Sequence, residues 1–355
     1  MGMPSINIVF RTTASTIVRR SQYGIVGAIL KDAALGTNGA HALEDETEIP
    51  ATLSEVNQDY LKKTFLGYTN KPKVIAYVLP ADAADLSEAL AYFATQQVNY
   101  IVGPPDCTVD EAQAISDWVI AQRIGKRTYK AVLPNRASDN EGIINFTTDE
   151  IQADKKTYTT AGYCGRIAGI IAGTPIKISA TFAPLAEVTD IKRLSESNMD
   201  KATDNGELII FHDGEKVKVG RAVNSLKSVT ADKDNTFKKI KIVSAVDMMK
   251  DDIRLLTQDN YFGKYPNSYD NKCLLITAVQ DYFKELENEG VIASGTTVEI
   301  NVEKTKAYLK KNSVDTSKMN DQQIKAANTG SHVFLKGAVS IYDTIEDLDL
   351  DMVMA

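Results

Sequence analysis

Apolar and polar positions along the first two thirds of the chain spell helices alternating with short strands. Leu53 to Phe65 reads as a helix opened by the capping box Thr52-x-x-Glu55, and Val74 to Leu79 as an apolar strand ending at Pro80. Leu86, Leu90 and Phe93 give Ala83 to Gln97 a helical period, and Tyr100 to Val102 is a buried strand stopped by Gly103-Pro104-Pro105. A second capping box, Thr108-x-x-Glu111, opens a helix that carries Ile115, Trp118 and Val119. Thr128 to Leu133 and Ile143 to Phe146 follow as strands. Apolar strands joined by helices of this length predict crossover units on a parallel sheet covered on both faces.

Between Gly162 and Gly173 the residues Gly165, Gly169 and Gly173 recur every fourth position. The segment has neither the lysine of a phosphate-binding loop nor a G-x-G-x-x-G string, so it predicts a helix lying close against a neighbour. From residue 207 the pattern turns to strands. Leu208 to Phe211, a turn at Asp213-Gly214, and Lys216 to Val219 form a hairpin signal. Lys239 and Lys241 alternate with Ile240 and Ile242, which predicts a half-exposed strand from Lys239 to Val243. Lys272 to Glu289 is a long amphipathic helix with Leu275, Val279, Phe283 and Leu286 on one side. Thr297 to Val302 alternates as a strand, Glu303 to Lys311 is a short lysine-rich helix or turn, and a polar stretch from Asn312 to Ser331 leads to the last strands. The expected division is an arm at 1–20, a central α/β domain at 21–245, a smaller α+β domain at 246–331 and C-terminal strands at 332–355.

Composition adds mainly exclusions. The 355 residues carry a net charge of −7, which argues against nucleic acid as a partner. No apolar run is long enough to insert in a membrane, and no secretory signal opens the chain. Cys107, Cys164 and Cys273 lie far apart, the pattern of reduced thiols, and neither a disulfide framework nor a metal site is expected. His41, His212 and His332 stand alone, no G-x-S-x-G elbow is present, and acidic runs such as Glu44-Asp45-Glu46 read as solvated faces. No catalytic residue, cofactor or metal ligand is therefore nominated.

The ends are the unusual feature. Ile6, Ile8 and Phe10 share one side of an extended segment, and residues 1–31 carry Arg11, Arg19, Arg20 and Lys31 with no acid. At the other end Val333, Leu335, Val339 and Ile341 share one parity, and Leu348, Leu350 and Met352 alternate with Asp349 and Asp351. Residues 337–355 carry Asp343, Glu346, Asp347, Asp349 and Asp351 with no base. Such strands either finish the chain's own sheet or complete sheets in neighbouring copies, with opposite charges favouring N-terminal against C-terminal pairing.

This order of segments resembles the sheath proteins of contractile phage tails and the related phage-tail-like bacteriocins. The resemblance is carried by Gly162-Tyr-Cys-Gly-Arg-Ile-Ala-Gly-Ile-Ile-Ala-Gly-Thr-Pro175, Ile178 to Leu185, Glu207 to Gly214, Val223 to Leu226, Lys239 to Val243, the helix from Lys272, and Val333 to Met354. It implies a central subtilisin-like α/β domain without a working triad, and a smaller α+β C-terminal domain that faces an inner tube. It also implies extended N- and C-terminal arms that join the C-terminal sheets of adjacent subunits. A structural subunit of a helical homo-oligomer follows, with tail tube, baseplate and tail terminator proteins as partners, assembled in a bacterial host's cytoplasm. Under that reading Ile6, Ile8, Phe10, Arg11, Arg19 and Arg20 form one intersubunit strand. Val339, Ile341, Asp343, Glu346, Asp347, Leu348, Asp349, Leu350, Asp351 and Met352 form the other. Lys304, Lys306, Lys310 and Lys311 are candidate tube contacts, and Gly24, Gly27 and Gly330 candidate hinges near 21–27 and 328–331. The chain looks like a compact member, without room for large outer insertions. The competing expectation is a soluble α/β enzyme or ligand-binding protein with a loop-built site.

Overall fold

The computed structural model describes residues 24–34, 36–231 and 233–354. They divide into two compact units, one of Asp252 to Ser340 and one holding the chain up to Asp251 together with the segment from Ile341.

The larger unit is built on strands β1 (Ile25–Asp32), β2 (Gly39–Leu43), β3 (Lys73–Pro80), β4 (Tyr100–Val102), β5 (Lys130–Pro134) and β6 (Ile143–Phe146). Small strands β7 (Ile151–Ala153), β8 (Lys156–Tyr158) and β9 (Val188–Asp190) form a separate three-stranded sheet. They are followed by β10 (Glu207–Leu208), β11 (Ile210–His212) and β12 (Val217–Val219). The seven-stranded sheet runs β10-β6-β5-β4-β1-β3-β2, parallel except for the edge pair β2–β3. Both faces of β1 are buried. Val26, Ala28 and Leu30 point into one core, and Ile25 and Ile29 into the other. This is why its apolar run is continuous rather than alternating.

Helices α1 (Glu55–Phe65), α2 (Ser87–Phe93), α3 (Val109–Ile124), α4 (Thr160–Ala172) and α5 (Glu196–Asp204) complete the unit with the first half of α6 (Ile240–Asn260). The capping box at Thr108 and Glu111 forms as read. The one at Thr52 does not: Ser54 is the N-cap of α1, its hydroxyl accepting from the Asn57 N–H. The predicted helix over 83–97 shrinks to α2, because Pro80 to Leu86 is spent on a turn before it. In α4 the glycine stripe faces α1. A Cβ on Gly165 would stand 2.6 Å from Thr64 Oγ1, and one on Gly169 would fall on the Thr64 carbonyl. The glycines serve close helix packing.

Two predicted strands are corrected. The run 208–211 splits at Ile209: Leu208 ends the large sheet, and Ile210 begins a hairpin with β12. Lys239 to Val243 is not a strand; Ile240 is the first residue of a 21-residue helix. Ile240, Ile242, Val243 and Ala245 are all buried. The start of α6 is thus apolar around most of its circumference and hides the helical period.

Asp247 on α6 lies within 2.7 Å of Arg123 Nη1 and 3.2 Å of Lys130 Nζ, and Arg123 also reaches Glu141 at 3.2 Å. Burial alone would push the Asp247 carboxyl up, but Lys130 and Arg123 beside it hold it below the usual range.

The smaller unit contains the rest of α6, then α7 (Tyr269–Asn288), β13 (Thr297–Ile300), α8 (Val302–Lys311), α9 (Asp321–Ala326) and β14 (Leu335–Ala338). The α7 stripe of Leu275, Val279, Phe283 and Leu286 is buried as its spacing predicts. Strands β13 and β14 form an antiparallel two-stranded ladder, from Thr297 opposite Ala338 to Ile300 opposite Leu335. The expected boundary at 245/246 falls inside α6, and β14 lies in this unit, not in a C-terminal arm.

Candidate functional site

After β14 the chain enters the larger unit at Ile341, and residues 342–354 form no strand. The segment 342–347 is held by a polar clasp. Lys241 Nζ donates to the Tyr342 carbonyl at 2.6 Å. Lys239 Nζ pairs with Asp343 at 2.5 Å and Glu346 at 3.2 Å. The Thr181 hydroxyl donates to Glu346 Oε1 at 2.8 Å while accepting from the Ala222 N–H at 3.0 Å. Arg221 Nη2 meets Asp347 at 2.5 Å.

Local sequence explains the dock. Lys239 and Lys241 straddle the first residue of α6, and Arg221 lies two residues past the end of β12. The Lys239 ammonium would be lowered by its partial burial, but hydrogen bonds to Asp343 and Glu346 raise it. Burial works against the Asp343 carboxylate, and the Lys239 contact outweighs it, leaving its pKa lowered. Lys241, whose partner is a neutral carbonyl, has its pKa lowered by burial. Glu346 is the inner member of the clasp, with 6% of its side chain exposed.

Past the clasp the character inverts. Leu348, Leu350 and Met352 are 80%, 68% and 81% exposed, and Ile345 is also bare. The apolar side chains of this segment have no cover within the described residues.

The remaining nominated residues separate as follows. Asp343, Glu346 and Asp347, expected to face a neighbouring copy, are engaged by this chain's own Lys239 and Arg221. Their charges are used within the chain, which leaves Asp349 and Asp351 for any partner. Val339 adjoins β14 and is 38% exposed. Ile6, Ile8, Phe10, Arg11, Arg19 and Arg20 lie outside the described residues. Gly27 is not a hinge: it pairs with Ile75 and Ile101 inside β1, with Phe93 against its α-carbon. Gly24 is likewise fixed, its N–H donating to Asn99 Oδ1 at 2.9 Å and its φ of +94° set against the Ala172 carbonyl. Gly330 sits in a turn stitched by Asn267 Nδ2, which donates to its carbonyl at 2.7 Å. Lys304, Lys310 and Lys311 are exposed on α8, with Lys306 half-buried. The dock residues Thr181, Arg221, Lys239 and Lys241 were missed as a site. Their one visible signal, the paired lysines, was assigned to a strand.

The histidines form no catalytic pair. His41 Nε2 is 2.7 Å from the Thr37 carbonyl, and His212 Nδ1 accepts from the Gly214 N–H. Among the described residues no cluster of metal-ligating side chains occurs, and no helix is long and apolar enough to cross a membrane.

Comparison with known proteins assigns this architecture. Residues 80–225 match the family model of the phage tail sheath protein central domain, and residues 232–354 that of the phage tail sheath C-terminal domain. A tail sheath protein of Clostridium phage phiCD119 is 37% identical over 359 residues, covering 99% of each chain. The fold also matches the contracted helical sheath of the anti-feeding prophage, with a TM-score of 0.73 at 14% identity over 100% of both chains. A sheath tail protein from Desulfitobacterium hafniense matches with a TM-score of 0.67 at 17% identity, over 83% of this chain and 93% of that one. With both domains matched in order and a full-length relative at this identity, the chain belongs to the phage tail sheath family, whose members are structural tail components and not enzymes.

Proposed function

We propose that this subunit polymerises helically around an inner tail tube and contracts to drive the tube through a bacterial envelope, with strand-exchanging arms holding the copies together. The observation that carries the reading is the C-terminal segment. The Glu346 clasp fixes its root, and the apolar side from Leu348 to Met352 stands in water. Sheet acceptance has a matching feature. Among the described residues the β13–β14 ladder has two strands, an arrangement marginal by itself that added strands would complete.

In this reading residues 6–10 of one copy and 348–352 of another extend the β13–β14 ladder of a third. The arms remain paired while the bodies repack, so the polymer survives contraction. Lys304, Lys306, Lys310 and Lys311 on α8 present a basic face to the tail tube protein. Baseplate and tail terminator proteins cap the polymer, which assembles in the cytoplasm of the bacterial host. Electron microscopy of the purified protein tests this. The full chain should form long hollow tubes, and variants lacking residues 1–20 or 348–354 should stay folded but unpolymerised. Tubes from both truncations would remove the arms from the account.

A further inference from the structure

Beside the clasp lies a groove of about 550 Å³ that residues 341–354 do not line. Its floor is Phe182, Phe211, Ile209 and Met199, and Asp200 and Asp204 of α5 rim it. Phe182 adopts φ +60°, a conformation a bulky aromatic residue rarely takes, and the residue is 53% exposed. Its N–H donates to the Val219 carbonyl at 3.0 Å, and its ring meets Phe211 edge-on at 5.7 Å. A strained aromatic left half open to water beside its aromatic contact points to a role for that surface. Arg221, also on the groove, is already neutralised by Asp347, so the rim is net acidic.

The same unit carries a complementary projection. At the end of α3, Ile124 is 75% exposed, and Lys126 and Arg127 beside it are exposed. The turn is rigid: the Lys126 N–H donates to the Arg123 carbonyl and the Arg127 N–H to the Gln122 carbonyl, each at 3.0 Å. Arg123 beneath it is locked to Asp247 and Glu141. α3 ends just before β5 and α5 just before β10, so Ile124 and the Asp200–Asp204 rim both lie toward the N-terminal edge of the parallel strands, whereas Ile209 and Phe211 follow the C-terminal end of β10. Ile124, Lys126 and Arg127 do not line the groove of their own copy.

We propose that the Phe182–Phe211 groove receives Ile124 of a second copy, with Lys126 and Arg127 of that copy facing Asp200 and Asp204. Such a contact is heterologous and repeats from copy to copy without closing on a pair. The acidic C-terminal segment, although tethered nearby, is disfavoured as occupant because Asp349 and Asp351 would approach Asp200 and Asp204. The inference rests on the polymer reading but concerns a different surface from the arms.

The test is polymer yield by electron microscopy and sedimentation, with circular dichroism confirming the fold of each variant. Asp200→Lys with Asp204→Lys, and separately Lys126→Glu with Arg127→Glu, should each lower the polymer at least tenfold, and all four together should restore it. Phe182→Gly should melt no lower than the parent yet polymerise poorly. If a charge variant unfolds, Ile124→Ser decides, since that side chain is bare in the single copy. Polymerisation of these variants at parental yield overturns the proposal. So does failure of the fourfold variant to recover, or loss confined to the groove variants, which would assign the groove another occupant. A parental protein that never polymerises removes the polymer reading and this contact with it.

Discussion

Thr181 and Glu346, 165 residues apart, are joined by a 2.8 Å hydrogen bond from the threonine hydroxyl to a carboxylate with little access to water. That bond, with the Lys239 ammonium on the other oxygen, decides where the C-terminal segment leaves the body. Hydrogen bonds to charged groups contribute about 1.5–3 kcal/mol each, more than neutral ones.

Replacing Glu346 by Ala should therefore weaken the docking of residues 342–347 by about 2 kcal/mol, roughly thirtyfold in the open population. Limited proteolysis reads this directly: cleavage after residue 341 should accelerate while the melting of the rest of the unit changes little. Unchanged cleavage would mean that Arg221 and Lys241 suffice.

The clasp also has a defined pH window. Asp343 has its carboxyl lowered from an ordinary value of 3.8, so its contribution is complete above that value and is lost as pH falls through the lowered one. Lys239 is raised from 10.5, so its contribution is complete below that value and is lost as pH rises through the raised one. The part of the protection of 342–347 that comes from the Lys239–Asp343 pair should thus be flat from about pH 5 to 10 and fall at both ends. Added salt should weaken it within the window, because Lys239 and Asp343 are partly exposed. A maximum outside that range would contradict the pairing.

The glycine stripe of α4 gives an ordered pair of substitutions. Gly169→Ala drives a methyl into the Thr64 backbone, which cannot move aside, and should cost at least the 1–3 kcal/mol usual for overpacking. Gly165→Ala meets side-chain atoms of Thr64 and Tyr60, and should cost less. Urea midpoints in the reverse order would show that the α1–α4 contact is looser than described.

Asp247→Ala removes the buried carboxylate that Arg123 and Lys130 share, Arg123 keeping Glu141, and should destabilise the larger unit by roughly 3–5 kcal/mol. Lys156→Ala, which removes a 58% exposed ammonium 3.7 Å from Asp59, should cost under about 1 kcal/mol. Chemical unfolding of both variants separates the two cases.

How far the fold was legible follows from where its signals lie. Local signals held: the Thr108–Glu111 capping box, the apolar strand Val74 to Leu79, and the α7 stripe all act within a few residues. Signals failed where tertiary burial overrides local pattern. Five residues from Lys239 alternate like a strand, yet they open α6, whose first turns are enclosed too fully to show a polar face. The site was half legible. The bare alternation from Leu348 to Met352 is plain in the sequence, but the partners of Asp343, Glu346 and Asp347 lie more than a hundred residues away. No spacing rule links such positions, so the bonds these acids make to Thr181, Arg221 and Lys239 had no signal in the sequence.

The account turns on the destination of Leu348 to Met352, and a cryo-electron microscopy reconstruction of the assembled polymer shows it directly. The prediction is that these residues run as a strand hydrogen-bonded to the β13–β14 ladder of a different copy, with Glu346 still clasped in its own. Density placing them against their own subunit, or leaving them in solvent within an intact tube, would contradict it.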